Sequence, residues 1–123
     1  IICHKTRIRA NEVADMKVIG DVEGKNIIVV DDMIDTAGTI CKAADMLIDN
    51  GAASVRAVAT HAVLSGKAYE NIEKSKLTEV IFTDSIPQKQ PCSKIKVLPI
   101  APMFADTIRN IYEHKSISDH FLM

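Results

Sequence analysis

Apolar positions along the chain follow two alternating periods. Ile27, Ile28, Val29 and Val30 are consecutive and β-branched, the pattern of a strand buried on both faces of a parallel sheet. From Thr39 the period changes. Ile40, Ala43, Ala44, Leu47 and Ile48 recur at helical spacing and define one face of an amphipathic helix. Asn50-Gly51 ends that helix, because glycine tolerates the left-handed conformation a helix terminus requires. The alternation of Val55, Ala57 and Ala59 with Arg56 and Val58 predicts a strand from Ser54 to about Thr60-His61. A short helix is expected over Ala68 to Ser75, then strands around Val80-Ile81-Phe82 and from Lys94 to Pro99. A last helix is expected from Ala101 to about His114, with Phe104, Ile108, Ile111 and Tyr112 on one face. Before the central run, Val18-Ile19 and Ile27 to Val30 flank Glu23-Gly24-Lys25-Asn26, so a hairpin is predicted there. His4 to Asp15 has little apolar content and reads as an exposed loop with a short helical turn near its end. Strands that alternate with helices predict an α/β domain built on a mainly parallel sheet flanked by helices.

Composition narrows this picture only slightly. A chain of 123 residues, 47% hydrophobic and 25% charged, is long enough for one domain with its own core. The net charge of −1 provides no general attraction for nucleic acid or an anionic membrane, so any phosphate binding has to be local. Cys3, Cys41 and Cys92 are widely spaced, odd in number and without metal-ligand spacing, which favours a reducing, cytoplasmic setting. No apolar run is long enough to cross a bilayer, and no segment has the pattern of a signal peptide. The opening Ile1-Ile2-Cys3 reads as the end of a strand that begins upstream, as in one domain of a longer protein.

The chemistry concentrates between Asn26 and Gly51. The apolar run ends in adjacent carboxylates, Asp31 and Asp32, followed by the turn Asp35-Thr36-Ala37-Gly38-Thr39 and the amphipathic helix. In open α/β sheets, ligands bind at the carboxyl ends of strands. The carboxylates can accept hydrogen bonds from sugar hydroxyls or hold a divalent cation. The turn can present backbone N–H groups to a phosphate at the start of a helix, where the helix dipole favours negative charge. Thr36 and Thr39 add hydroxyls, and Ala37 and Gly38 keep side chains small so that backbone can approach a ligand. Asp35 repels an anion, so it has to point away or cap backbone N–H groups. Paired acids at a strand end, or a capping turn, are each ordinary when alone; together on one strand–turn–helix unit they point to a site for a phosphorylated sugar.

VVDDMIDTAGT resembles the ribose-5-phosphate motif of the type I phosphoribosyltransferase fold. More narrowly, the chain resembles the C-terminal domain of the ribose-phosphate pyrophosphokinase family. NEVADMKVIGDVEGK, THAVLSGKAYENIEKSKL and MFADTIRNIYEHKSISDHF extend the likeness over essentially the whole chain. The resemblance implies transfer of the pyrophosphoryl group of ATP to the 1-hydroxyl of ribose 5-phosphate, giving PRPP and AMP, with Mg2+. It implies that Lys5 and Arg7 lie on a catalytic flexible loop, that Asp31 and Asp32 bind ribose hydroxyls, and that Asp35, Thr36, Ala37, Gly38 and Thr39 form the 5-phosphate loop. Cations aimed at a transferring phosphoryl group stabilise its spreading charge, and Arg forks onto two oxygens where Lys acts as a compact charge. It further implies an N-terminal ATP-binding domain outside these residues, and a homo-oligomer, a hexamer built from dimers.

Two positions depart from the family's pattern. Ala62 stands where Pro or Gly is common, and Lys67 where Pro is common. The second puts regulation like that of the family in doubt. Two other functions compete: a phosphoribosyltransferase that consumes PRPP, for which no base-recognition segment is visible, and a non-catalytic PRPP synthetase-associated regulator, against which Lys5, Arg7 and the intact turn argue. A transcription regulator of the same fold would need a basic DNA-reading element, and none is present.

Overall fold

The computed structural model describes the backbone of residues 2–9 and 12–118, and the side chains of residues 20–118. The elements run β1 (Ile2–Arg9), β2 (Glu12–Ile19), β3 (Asn26–Ile34), α1 (Gly38–Asp49), β4 (Ser54–Ala62), α2 (Ala68–Lys74), β5 (Glu79–Thr83), β6 (Ile95–Leu98) and α3 (Ala101–Tyr112). β3, β4, β5 and β6 form one parallel sheet in that order, and β1 and β2 form a separate antiparallel ribbon.

The order of the parallel strands follows the order of the chain, so each crossover steps to the next strand. Right-handed crossovers then carry α1 and α2 to the same side of the sheet. The packing agrees. Ile40, Ala44 and Leu47 of α1 and Ala68, Tyr69 and Ile72 of α2 join Val55, Ala57, Ala59, Val80 and Phe82 in one buried cluster. Ala43 and Ala44 of α1 and Ala57, Ala59 and Ala62 of β4 are all nearly sealed from solvent, and their small size lets the helices lie close to the strands.

Among the described residues, the opposite face is left open. Ile28 and Val30 remain 63% and 74% exposed, so the consecutive apolar run is buried on one face only, contrary to the expectation from its composition. α3 takes the predicted place but buries none of its residues; Phe104, Ile108 and Ile111 are each more than half exposed.

The segment before β3 differs more. The predicted hairpin across Gly24 does not form: β2 pairs with β1, and β3 pairs with β4 alone. The turn is used instead to tie the start of β3 to the junction between α1 and β4. The Gly24 amide donates to the Gly51 carbonyl at 2.8 Å and the Ala53 amide to the Lys25 carbonyl at 2.9 Å. Gly24 has φ 66, which glycine adopts without steric cost. The stretch expected as a loop from His4 to Asp15 lies instead largely in the two strands of the ribbon, whose pairing slips at Thr6/Arg7 and at Arg7/Arg9. Backbone pairing within a ribbon satisfies N–H and C=O groups without requiring apolar side chains, so low apolar content did not signal it. No helix among the described residues is long and apolar enough to cross a membrane.

Candidate phosphosugar site

β3 continues through both carboxylates to Ile34, so Asp31 and Asp32 lie on the strand rather than after it. Asp31 pairs with Ala59, and Met33 with His61. Both carboxylates are exposed. Each turns one oxygen to local backbone: Asp31 Oδ1 accepts from the Asp32 amide at 2.9 Å, and Asp32 Oδ1 from the Met33 amide at 2.7 Å. Both lie in the C-terminal half of β3. No described cation forms an ion pair with either. Among the described residues, no group of three or more His, Cys, Asp or Glu side chains is arranged to hold a metal ion.

The turn after β3 is pinned from two directions. The segment following β4 runs beside it, with the Leu64 amide donating to the Ile34 carbonyl and the Ser65 amide to the Asp35 carbonyl, both at 3.1 Å. From α2, the Asn71 side-chain amide donates to the Thr36 carbonyl at 2.9 Å. Asp35 accepts a short hydrogen bond from the Ser65 hydroxyl. Its carboxylate is therefore held by the neighbouring loop and caps no helix N–H.

Ala37 is the N-cap of α1 and adopts φ 60, a conformation rare for residues with a side chain. It is also 4% exposed. Its methyl is thus part of the core. Gly38 differs. A methyl added there would meet only the Thr36 hydroxyl oxygen, at 3.9 Å, so the protein's own packing does not require a glycine. The space above Gly38 lies beside the first turn of α1, which has no side-chain cap and no acidic residue. Thr36 is exposed and Thr39 half-buried in that same turn. Asp31, Asp32, Asp35, Thr36, Ala37, Gly38 and Thr39 are therefore contiguous at one end of the sheet. Lys5 and Arg7 lie on β1; their side chains fall outside the described residues.

Periodicity gave no sign of Ser65 and Asn71, the two residues that fix the turn, because each acts across more than 29 residues of chain. Ser65 does belong to the VLSG segment and Asn71 to the polar side of a short helix, but neither pattern names a partner. The two departures are also placed. Ala62 is buried at the end of β4, where a small residue fits, and Lys67 is the exposed N-cap residue of α2.

A parallel α/β sheet flanked by helices, with paired acids and an uncapped helix start at its carboxyl edge, places the chain among the open α/β folds, whose ligands bind at the carboxyl ends of the strands. Sequence comparison specifies the class further. Residues 4–122 match the family model described as phosphoribosyl synthetase-associated domain, and the chain belongs to that family. It is 52% identical over 118 residues to a ribose-phosphate pyrophosphokinase of Porphyromonas gingivalis, covering 96% of this chain and 38% of the relative. It is 55% identical over 121 residues to one of Helicobacter hepaticus, covering 98% and 39%. A crystal structure of phosphoribosylpyrophosphate synthetase from Mycobacterium smegmatis superposes with a TM-score of 0.79 at 41% identity, covering 91% of this chain and 36% of that one. The chain thus spans about two-fifths of the length of the curated relatives it matches.

Proposed function

We propose that this chain is the ribose-5-phosphate-binding, C-terminal part of a ribose-phosphate pyrophosphokinase. The enzyme transfers the pyrophosphoryl group of ATP to the 1-hydroxyl of ribose 5-phosphate and yields PRPP and AMP. The observation that carries this reading is the placement of Asp31 and Asp32 beside an uncapped helix start at one edge of the parallel sheet. The carboxylates accept hydrogen bonds from the ribose hydroxyls. Thr36, Gly38 and Thr39 surround the 5-phosphate at the positive end of α1. Asp35 takes part indirectly, by bonding Ser65 and so fixing the turn. Ala37 sets the backbone direction into the helix.

Lys5 and Arg7 stabilise charge on the transferring group. The slipped pairing of β1 at Arg7 supports a ribbon that is less rigid than the main sheet. ATP is bound by residues outside this chain. Mg2+ takes oxygen ligands and commonly uses one or two carboxylates with water and substrate phosphates. Exposed Asp31 and Asp32 suit that partial role, and the ion supplies charge neutralisation on the phosphates. The exposed apolar residues of α3 support assembly into a dimer-based hexamer. A cytoplasmic location agrees with free Cys41 and Cys92.

The test is product analysis with the full-length enzyme. AMP and PRPP should form from ATP and ribose 5-phosphate, and Asp31→Asn should raise the Michaelis constant for ribose 5-phosphate more than that for ATP. Release of pyrophosphate from PRPP with a nucleobase, and no AMP formation, would replace this function with phosphoribosyl transfer.

A further inference from the structure

Three successive carbonyls at the end of β3 are drawn to one side. The Ile34 carbonyl accepts from the Leu64 amide and the Asp35 carbonyl from the Ser65 amide, both at 3.1 Å. The Thr36 carbonyl accepts from the Asn71 side-chain amide at 2.9 Å. A trans peptide holds its C=O and the following N–H on opposite sides of the chain, and no peptide bond among the described residues is cis. The amides of Asp35, Thr36 and Ala37 are therefore turned away from the 64–71 segment.

The last of these three peptides leads into a strained residue. Ala37 has φ 60, which is costly for a residue with a Cβ. A flip of the Thr36–Ala37 peptide would return that φ to the negative side. It would also exchange the two polar groups, so that a carbonyl stood where the Ala37 N–H stands now. The first two carbonyls of the set are held by backbone amides, and the third by the Asn71 side chain. Asn71 has a firm support, since its neighbours on α2, Ala68 and Ile72, are 0% exposed. Among the described residues, no turn or cap bond takes the Ala37 amide.

We propose that Asn71 is a positioning residue of the ribose-5-phosphate site: its amide holds the Thr36–Ala37 peptide against the strain of Ala37, so that an N–H rather than a carbonyl is presented to the 5-phosphate. This rests on the reading of the turn as the 5-phosphate loop. A carbonyl in that place would repel the phosphate, so the orientation of one peptide decides the sign of the interaction. Asn71 acts through Thr36 and not on the sugar itself.

Steady-state kinetics of the full-length enzyme test it, with a thermal melt of each variant to confirm that it is folded. Asn71→Leu keeps the size of the side chain and removes the donor. It should raise the Michaelis constant for ribose 5-phosphate about tenfold, as the loss of a hydrogen bond to a charged group does. The constant for ATP and kcat should stay within about twofold, because the bond lost is made equally in the ground and transition states. Asn71→Asp sets a carboxylate against the Thr36 carbonyl and should raise the constant for ribose 5-phosphate at least as much. Glycine adopts φ 60 without steric cost, so in the Ala37→Gly background Asn71→Leu should cost about threefold or less. A loss of about tenfold in both backgrounds would overturn the role of Asn71. So would equal rises for both substrates, or unchanged constants in either Asn71 variant while Asp31→Asn raises that for ribose 5-phosphate. In those cases the reading of the site stands. A full-length enzyme that forms no AMP and PRPP from ATP and ribose 5-phosphate would overturn that reading, and the role of Asn71 with it.

Discussion

In the proposed function, Thr36 divides its work between fold and ligand. Its carbonyl is taken by Asn71 at 2.9 Å, while its exposed side chain faces the space beside Gly38. The main chain is committed to the turn, and the proposed function gives the hydroxyl to the 5-phosphate. Thr36→Val keeps the shape and the β-branch and removes only the hydroxyl. A hydrogen bond to a charged group contributes roughly 1.5–3 kcal/mol, so the variant should bind ribose 5-phosphate at least tenfold more weakly, with its thermal midpoint nearly unchanged. A titration showing wild-type affinity would remove Thr36 from the phosphate site. Asp35 divides the other way: its residue type was legible as unsuited to an anion, but the Ser65 hydroxyl that occupies it was not. A partner thirty residues away leaves no mark on local pattern.

Among the elements, α1 was the most legible. Its apolar face, its start after the turn and its end at Asn50 follow from spacing and the Asn-Gly signal. Its first residue carries a separable prediction. Gly38 has an ordinary backbone and room for a methyl within the protein, and alanine is favoured over glycine in helices by up to about 1 kcal/mol. Gly38→Ala should therefore leave the chain as stable or slightly more so in denaturant titration, yet weaken ribose 5-phosphate binding by crowding the phosphate. A variant that lost stability and kept affinity would assign Gly38 a purely structural role.

The strands carry a second prediction through Glu79. Lys96 at 2.6 Å and Arg56 at 2.8 Å bond its two carboxylate oxygens and link β4, β5 and β6. These bonds, first to Lys96 and then to Arg56, hold the Glu79 carboxyl below its ordinary value. A folded-state value below the unfolded one means that the stabilisation is complete above the ordinary glutamate value, about 4.3. It is lost as pH falls through the lower folded value. Glu79→Gln should therefore be less stable than wild type at neutral pH, and the difference should shrink in acid below about pH 4. A pH-independent difference in urea midpoints would show that the ion pairs are not its source.

Over the whole molecule, the asymmetry of the sheet is the main feature. α1 and α2 cover one face, and the other leaves Ile28 and Val30 open to solvent. Parallel sheets are usually covered on both faces, and a contiguous exposed apolar surface promotes association. The double variant Ile28→Thr and Val30→Thr keeps β-branched residues on the strand. It should change the stability of this chain by no more than about 1 kcal/mol, as exposed substitutions do, while lowering light scattering at high concentration. A loss of several kcal/mol would mean that the face is packed after all.

The sequence by itself determined the periodic parts of this protein: the helices, the four parallel strands and the contiguous Asp31-to-Thr39 segment, whose chemistry lies in adjacent residues. These are local, since hydrophobic period and turn chemistry act over a few residues. Only the tertiary structure decided which strands pair, which face of β3 is covered, and how the turn is fixed. It drew Gly24 to Gly51, Asp35 to Ser65, Thr36 to Asn71 and His61 to Ser85. Each of those bonds joins residues far apart in the chain, and their partners are set by how the strands and helices stack rather than by the residues that flank them.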